Sequence, residues 1–118
     1  MGPLIVLVCG DRNWANRTSI TNCLKLLPRG TTIIHGGARG ADSIAGEEAK
    51  KLGLGVEVFP AQWDKYGTAA GPIRNIQMLD RNPHLVIAFH PDLAKSRGTA
   101  HTVREARKRQ IKVHLVTT

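Results

Sequence analysis

The sequence predicts a Rossmann-like α/β fold with three layers, in which a five-stranded parallel sheet of order 3-2-1-4-5 lies between helices. Three observations predict it. Short apolar runs alternate with segments of helical periodicity along all 118 residues, which is the pattern of parallel sheets covered by helices. The first run, residues 4–8, is apolar at every position, as in a strand covered on both faces. A Gly-rich segment, residues 36–41, follows the second run, where a strand would turn into a helix.

The first predicted strand covers residues 4–8 and leads into a helix. Residues 20–27 carry apolar side chains at the i, i+3, i+4, i+7 spacing of an amphipathic helix. Asn16 or Thr18 can act as its N-cap, and the Pro-Arg-Gly sequence at residues 28–30 ends it. This strand and helix form the first repeating unit of the predicted fold.

The β-branched run at residues 32–35 predicts the second strand, and residues 43–52 have the periodicity of the helix that follows it. Gly53 ends that helix. Residues 55–59, Gly-Val-Glu-Val-Phe, predict a third strand. We expect residues 60–71 to form a long connection to the next helix.

Pro72 suits the first position of the third helix, since a helix begins there without needing the proline N–H. In residues 84–89, five apolar side chains follow His84, which predicts the fourth strand, and residues 90–98 form a polar loop. The last helix is predicted over residues 99–109 and the last strand over residues 111–116. In such sheets ligands bind beyond the carboxyl ends of the strands, near the change in strand order, where four of these connections meet.

The Gly-rich turn after the second strand predicts an anion site. It consists of Gly36, Gly37, Ala38, Arg39 and Gly40, followed by Ala41 and Asp42. Glycines let the backbone approach a ligand, and the free N–H groups of a helix N-terminus carry about +0.5 charge. We therefore predict that this turn holds a phosphate and that Arg39 pairs with it. The alternative is a tight turn without a ligand. Asp42 either caps the helix or contacts ligand hydroxyls.

Polar residues also follow the first strand. Gly10, Asp11 and Arg12 could hold a sugar, and Trp14 could stack on a base. The alternative for Trp14 is an anchor that packs this loop against the core.

Two further helix starts contain candidate ligand-binding residues. Arg74 and Asn75 follow Pro72, and a cation in the first turn of a helix is disfavoured by the helix dipole. Something negative should therefore face Arg74: a ligand phosphate or ribose, or Asp64 in a salt bridge. Gly98 and Thr99 open the last helix and either donate to a phosphate or supply its N-cap.

The composition excludes several classes of protein. The length fits one domain over residues 1–118, and the formal net charge of +8 favours anionic partners, including nucleic acid. Cys9 and Cys23 predict buried thiols in a reducing cytoplasm, not a disulfide or a metal site. The five histidines show no metal-ligand spacing, no catalytic triad is readable, and no apolar run is long enough for a signal peptide or a membrane span. We expect no metal and no cofactor.

One cluster of basic residues lies near the end of the chain, and its members are Arg104, Arg107, Lys108, Arg109 and Lys112. It is either a weak, nonspecific nucleic-acid surface or a solvated helix face.

Taken together, these motifs resemble the SLOG superfamily of Rossmann-like nucleotide-binding proteins, and within it the small YspA, cpYpsA-related branch. The segments that carry the resemblance are residues 9–12, 36–42, 63–67, 70–75 with Met78, 88–89 and 98–100. The resemblance implies a nucleotide-derived ligand, of the ADP-ribose, NAD-like or nucleoside phosphate kind. It also implies a possible homo-oligomer, since relatives assemble through helix faces.

Enzymes in the same superfamily, the LOG-type phosphoribohydrolases, cut the N-glycosidic bond of nucleoside monophosphates. Arg74 matches their arginine, but Asn75 replaces their lysine and no Pro-Gly-Gly precedes Gly98. Thr102 stands where they carry a catalytic Glu, and Glu105 lies one turn further on. An oxocarbenium-like transition state needs a nearby carboxylate, so we expect a binding module more than an enzyme. A nucleotide N-glycoside hydrolase is the alternative. A single-stranded nucleic-acid binder is the second alternative, because DNA-processing protein A is another relative with a Gly-rich turn.

Overall fold

A computed structural model describes residues 3–118 of the chain. Its five strands form one parallel sheet in the order β3-β2-β1-β4-β5, which confirms the predicted fold class and strand order. The strands are β1 (Ile5–Gly10), β2 (Thr32–His35), β3 (Gly55–Val58), β4 (Leu85–Phe89) and β5 (Lys112–Val116). At the centre of the sheet, Leu7 of β1 lies beside Ile34 of β2 on one side and Val86 of β4 on the other.

Five helices and two short 3-10 turns connect the strands. The helices are α1 (Arg17–Leu24), α2 (Ala41–Lys51), α3 (Trp63–Tyr66), α4 (Ala70–Leu79) and α5 (Gly98–Lys108). The 3-10 turns are Gly67–Ala69 and Leu93–Lys95. The strands and the four longer helices lie within a few residues of the predicted ranges, whereas α3 and the turn after it lie in the segment predicted as a connection.

Helices cover both faces of the sheet, so the structure has three layers. Val6 and Val8 of β1 point toward α1 and α2, where they pack in one apolar cluster with Ile20 and Ala45. The alternating residue Leu7 points to the other face and packs with α4 and α5. Successive side chains of a strand point to opposite faces, so a strand buried on both sides must be apolar throughout, as predicted for β1.

The start of α1 agrees with one of the two predicted caps. The side chain of Asn16 accepts a hydrogen bond from the N–H of Ser19 at 3.2 Å. The helix ends at Leu24, one turn earlier than the periodicity predicts. Glu48 ties α1 to α2, because its carboxylate accepts from Thr21 Oγ1 at 2.8 Å and from the Arg17 guanidinium at 2.7 Å.

The start of α4 differs from the prediction. This helix begins at Ala70, directly after α3 and the 3-10 turn, so Pro72 is its third residue. The position tolerates proline, since the first four N–H groups of a helix have no intrahelical partner. Arg74 is the fifth residue and lies in the second turn, so the predicted placement of this cation in the first turn is wrong.

The two cysteines are free. Cys9 is buried in β1, and burial raises the pKa of its thiol well above the ordinary value, whereas Cys23 is half-buried. Within residues 3–118, no helix combines the length and apolarity needed to cross a bilayer. The same residues contain no group of three or more His, Cys, Asp or Glu side chains that could hold a metal ion.

Candidate functional site

A cavity of about 370 Å³, the main cavity, lies at the carboxyl edge of the sheet, where the strand order changes between β1 and β4. Most of the candidate site residues line it: Gly10, Asp11, Arg12, Ala38, Arg39, Asp42, Arg74, Asn75, Gly98 and Thr99. The Gly-rich turn after β2 and the N-terminus of α5 therefore meet at one cavity, which confirms the predicted convergence. Parallel strands bring this about, because their carboxyl ends share one edge.

The Gly-rich turn is already occupied by a carboxylate of the chain itself. Asp42 Oδ2 accepts hydrogen bonds from the N–H groups of Gly36, at 2.8 Å, and Ala38, at 3.4 Å. The N–H of Gly37 donates to His35 Nδ1 at 3.0 Å. Each of these three N–H groups thus has an acceptor within the protein, so in this conformation none of them is free for the phosphate that the turn is predicted to hold.

Asp42 is not the N-cap of α2. The cap position is Gly40, whose φ of 80° suits glycine, and Asp42 lies within the first helical turn. From there its side chain reaches back to the turn, where it is only 5% exposed. Burial raises the pKa of Asp42 to about 6, although the Gly36 N–H and the Arg74 guanidinium favour its charged form.

The loop after β1 holds the start of α2 in place. The N–H of Ala41 donates to the carbonyl of Asp11 at 3.1 Å, and the N–H of Ser43 donates to Ala38 O at 3.1 Å. A Cβ at Gly40 would overlap the backbone of Asp11 and Arg12, so this close approach requires glycine. Two more helix N–H groups that could have bound an anion are therefore engaged.

Arg74 spans the gap between the Gly-rich turn and α4. Its guanidinium donates to the carbonyl of Gly36 at 2.6 Å and to that of Phe59 at 3.4 Å, and its Nε donates to Asn75 Oδ1 at 3.1 Å. No ion pair with Asp64 occurs among residues 3–118. A Cβ at Gly36 would overlap the guanidinium, so Gly36 is needed for Arg74 to lie there.

Asn75, next to Arg74, contacts the other wall of the cavity. Its Nδ2 lies 3.4 Å from the carbonyl of Gly98 and 3.2 Å from His101 Nδ1, and both partners belong to α5. The N–H of Thr99 donates to Ser96 Oγ at 3.0 Å, so this N–H is also engaged, while the side chain of Thr99 lines the cavity. The N-cap position of α5 is Arg97, whose side chain makes no capping hydrogen bond, and Ser96, one residue earlier, accepts from the first turn in its place. The sequence left Thr99 between an N-cap and a phosphate donor.

The charged side chains around the main cavity are mainly cationic. Arg12, Arg39, Arg74, Lys95 and Arg97 line it, against the two carboxylates of Asp11 and Asp42. Sequence analysis missed Lys95 and Arg97, although both lie in the loop before α5 that it placed at the carboxyl edge. The sequence does contain an indication of their role, because this short loop carries two basic residues directly before a helix N-terminus.

Residues 4–66, more than half of the chain, match the model of the YspA, cpYpsA-related SLOG family. The chain belongs to this family. The gene 61 protein of Mycobacterium phage D29 is similar to it, with 39% identity over 117 residues that cover 92% of each chain. The family match confirms the resemblance that the motifs indicate.

A solved structure has the same fold as this SLOG family member. The X-ray structure of DNA processing protein A (DprA) from Streptococcus pneumoniae superposes with a TM-score of 0.77 over 96% of this chain, at 19% sequence identity. The chain spans about half of the DprA chain, 50% of its length. At this identity the likeness shows the shared Rossmann-like fold.

Among the candidate site residues, Trp14 has a structural place. It is 8% exposed, its ring lies 5.6 Å from that of Phe89, and its Nε1 donates to the carbonyl of Asn16 at 3.1 Å. Trp14 lines neither cavity described here, so the structure agrees with the core-anchor alternative and not with base stacking.

Two residues of α5, Thr102 and Glu105, bear on the comparison with the hydrolases of the superfamily. Thr102 lines the main cavity, and its hydroxyl donates to Gly98 O at 3.2 Å. Glu105 points away, because it pairs with Lys108 at 2.9 Å and is not part of the cavity lining. No carboxylate of α5 therefore faces the main cavity among the described residues.

A second cavity, of about 440 Å³, adjoins the main one. The two share Arg12, Ala38, Arg39 and Arg74. Gly36 and Gly37 line this second cavity, as does Trp63, whose side chain sequence analysis did not place in the site. Trp63 is 53% exposed, unlike Trp14.

Proposed function

We propose that this protein binds a phosphorylated, nucleotide-derived ligand in the main cavity. The observation that carries the proposal is the charge of the lining. Five cationic side chains face two carboxylates at the edge of the sheet where Rossmann-like folds bind ligands. A phosphate group neutralises such a surface, and arginine pairs with it through two parallel hydrogen bonds.

The exposed arginines are the expected phosphate partners. Arg12, Arg39 and Arg97 are exposed, and within residues 3–118 none of them forms an ion pair. The N-terminus of α5 adds the partial positive charge of its dipole on the same side. Arg74 contributes charge, although its donors are partly used by backbone carbonyls. In this proposal Asp11, which lines the same cavity, accepts hydrogen bonds from ribose hydroxyls.

Isothermal calorimetry with AMP, ADP-ribose and NAD tests the proposal. Arg39→Ala should weaken the affinity of a binding ligand about 10- to 100-fold, since a hydrogen bond to a charged group contributes about 1.5–3 kcal/mol. Arg107→Ala is the matched control: Arg107 is an exposed arginine of α5 that lines neither cavity. Equal affinities of both variants, or no heat with any of the three ligands, would contradict the proposal.

A nucleotide N-glycoside hydrolase is the alternative that the two carboxylates of the main cavity favour. Both are engaged with the backbone, however. Asp42 accepts from the Gly-rich turn, and Asp11 Oδ1 accepts from the N–H of Asn13 at 3.0 Å. With Thr102 in place of the glutamate of the hydrolases, these contacts support binding over hydrolysis.

A single-stranded nucleic-acid binder is the second alternative. The fold likeness to a protein named for DNA processing and the formal net charge of +8 support it. The exposed cations Arg104, Arg107 and Lys112 on and after α5 would supply contacts to phosphates. Exposed basic side chains alone give weak binding that is lost with salt, so the main cavity carries the preferred proposal.

A further inference from the structure

The second cavity contains the features of a platform for an aromatic ring. Trp63, the first residue of α3, lines it with about half of its side chain exposed, 53%. A Cβ at Gly71 would lie only 3.5 Å from Trp63 Cη2, so the indole rests against the start of α4. Its Nε1 forms no hydrogen bond with residues 3–118, so the ring is held by packing with much of its surface toward solvent.

The two cavities meet at a shared group of arginines. Arg12, Arg39 and Arg74 line both. Their volumes, about 370 and 440 Å³, are each near the lower end of the range for small-molecule sites. A phosphate at the shared arginines would therefore have room for one nucleoside-sized group on each side.

We propose that the second cavity is a base-stacking subsite, and that the ligand has two lobes joined by phosphate: a base stacked on Trp63, phosphate at the shared arginines, and a nucleoside or sugar in the main cavity. The inference rests on the proposed function and names the ligand class for it. Aromatic side chains bind bases of any identity, because every base has a π-face. Trp63 would bind the base by stacking, and the shared arginines would bind the phosphate that joins the two lobes.

A mononucleotide cannot fill both cavities, which separates this inference from phosphate binding alone. A long single strand would place bases beyond the second cavity. Besides Trp63, no aromatic side chain of the described residues lines it, and the exposed apolar residue beside Gly37 is Val58, 49% exposed. The structure thus favours a ligand with two lobes over a polymer.

Titrations of the whole protein with diadenosine diphosphate, AMP and ribose 5-phosphate test the subsite. Trp63 and Trp14 are the two tryptophans of the chain, and Trp14 is buried, so quenching of the exposed tryptophan emission reports stacking on Trp63. We expect diadenosine diphosphate to quench this emission. We also expect Trp63→Ala to weaken its binding about 5- to 150-fold, the range for one base stacked on an aromatic ring.

Three controls accompany this measurement. Trp63→Phe keeps a ring and should retain most of the affinity. Tyr66→Ala removes another aromatic side chain of α3, one that does not line the cavity, and should change nothing. Ribose 5-phosphate has no base, so its affinity should be the same in the wild-type protein and in Trp63→Ala.

The outcomes are distinguishable. If AMP or ribose 5-phosphate binds while diadenosine diphosphate neither quenches nor depends on Trp63, the subsite is refuted and the proposed function stands. If none of the three compounds binds, both are refuted. If a thymidine 12-mer binds more than tenfold tighter than diadenosine diphosphate and loses this advantage in Trp63→Ala, a single strand replaces the two-lobed ligand.

Discussion

At the residue scale, the most informative side chain is Asp42. The sequence predicts an anion site at the Gly-rich turn, and the structure contains one, but the anion in it is a carboxylate of the protein. That contact could not be predicted, because Asp42 reaches back six residues to Gly36 from within a helix. Local rules for N-caps describe contacts in the opposite direction along the chain.

Asp42 makes the stability of the fold depend on pH. Its pKa is raised from 3.8 to about 6, so the folded state holds a proton that the unfolded state releases. Stability should therefore fall as the pH rises from about 4 to about 6 and stay at the lower level above that. The total change is on the order of 2–3 kcal/mol, at about 1.4 kcal/mol for each pKa unit.

Urea unfolding at a series of pH values measures this effect. In Asp42→Asn the side chain does not titrate, and its amide oxygen can still accept from Gly36, so the decline assigned to Asp42 should be missing. Parallel stability profiles of the two proteins over this range would show that the carboxylate titrates near its ordinary pKa.

Arg74 has a structural role that the sequence did not predict. Because its guanidinium satisfies the carbonyls of Gly36 and Phe59, Arg74→Ala should lower the free energy of unfolding by about 2 kcal/mol, besides weakening ligand binding. Arg81→Ala is the comparison. Arg81 forms an exposed ion pair with Glu57, and such pairs contribute about 0–1 kcal/mol. A thermal melt of Arg74→Ala that matched wild type would contradict this structural role.

At the element scale, the strands were predictable because burial on both faces leaves a continuous apolar run. Helix periodicity located α1, α2, α4 and α5 for a similar reason. The four residues of α3 are too few to show a helical period, so this helix could not be predicted. Because α3 was not predicted, the predicted start of α4 lies too late in the chain. Arg74 was therefore assigned to the first turn of α4 and not to the second. The loops that form the site were predicted, but the partners of their N–H groups depend on tertiary contacts.

The contribution of the Ser96 hydrogen bond to the start of α5 can be tested by mutation. Ser96→Ala removes the acceptor of the Thr99 N–H in the first turn of α5 and should destabilise the fold by about 1 kcal/mol, as the loss of a side-chain N-cap bond does. Asn16→Ala removes the corresponding cap of α1 and should have an effect of similar size. Chemical denaturation of both variants gives the comparison, and an unchanged midpoint for Ser96→Ala would show that water replaces the serine.

At the scale of the whole molecule, ion pairs neutralise part of the basic cluster that contributes to the net charge of +8. Within the basic cluster, Lys108 pairs with Glu105 and Arg109 pairs with Asp80, both at 2.9 Å. The remaining members, Arg104, Arg107 and Lys112, are exposed without an ion pair among the described residues. Assembly into a homo-oligomer stays a prediction.

Oligonucleotide binding should therefore be weak and sensitive to salt. Each phosphate contact contributes to the slope of log affinity against log salt, so Arg104→Glu with Arg107→Glu should lower that slope by about 1–2 for a single strand. Mononucleotide affinity should stay unchanged, because neither residue lines a cavity. Fluorescence anisotropy at several salt concentrations measures both. Submicromolar oligonucleotide binding near physiological salt that Arg39→Ala abolishes would move the nucleic-acid site into the main cavity.

The whole protein should not release adenine from AMP. Thr102 occupies the position of the hydrolase glutamate, and the two cavity carboxylates are held by backbone N–H groups. Chromatography after prolonged incubation should show no adenine above the buffer control. Adenine formation that disappears in Arg39→Ala would instead identify an enzyme.

The neighbouring residues Arg74 and Asn75 have a consequence for ligand size. One reaches the Gly-rich turn and the other reaches α5, so α4 acts as a spacer that fixes the distance between the two walls of the main cavity. The lengths of these two side chains then set how wide a group the proposed site can accept. A bulkier group would require breaking one of these two contacts, so helix α4 limits the size of the groups that the proposed site can bind.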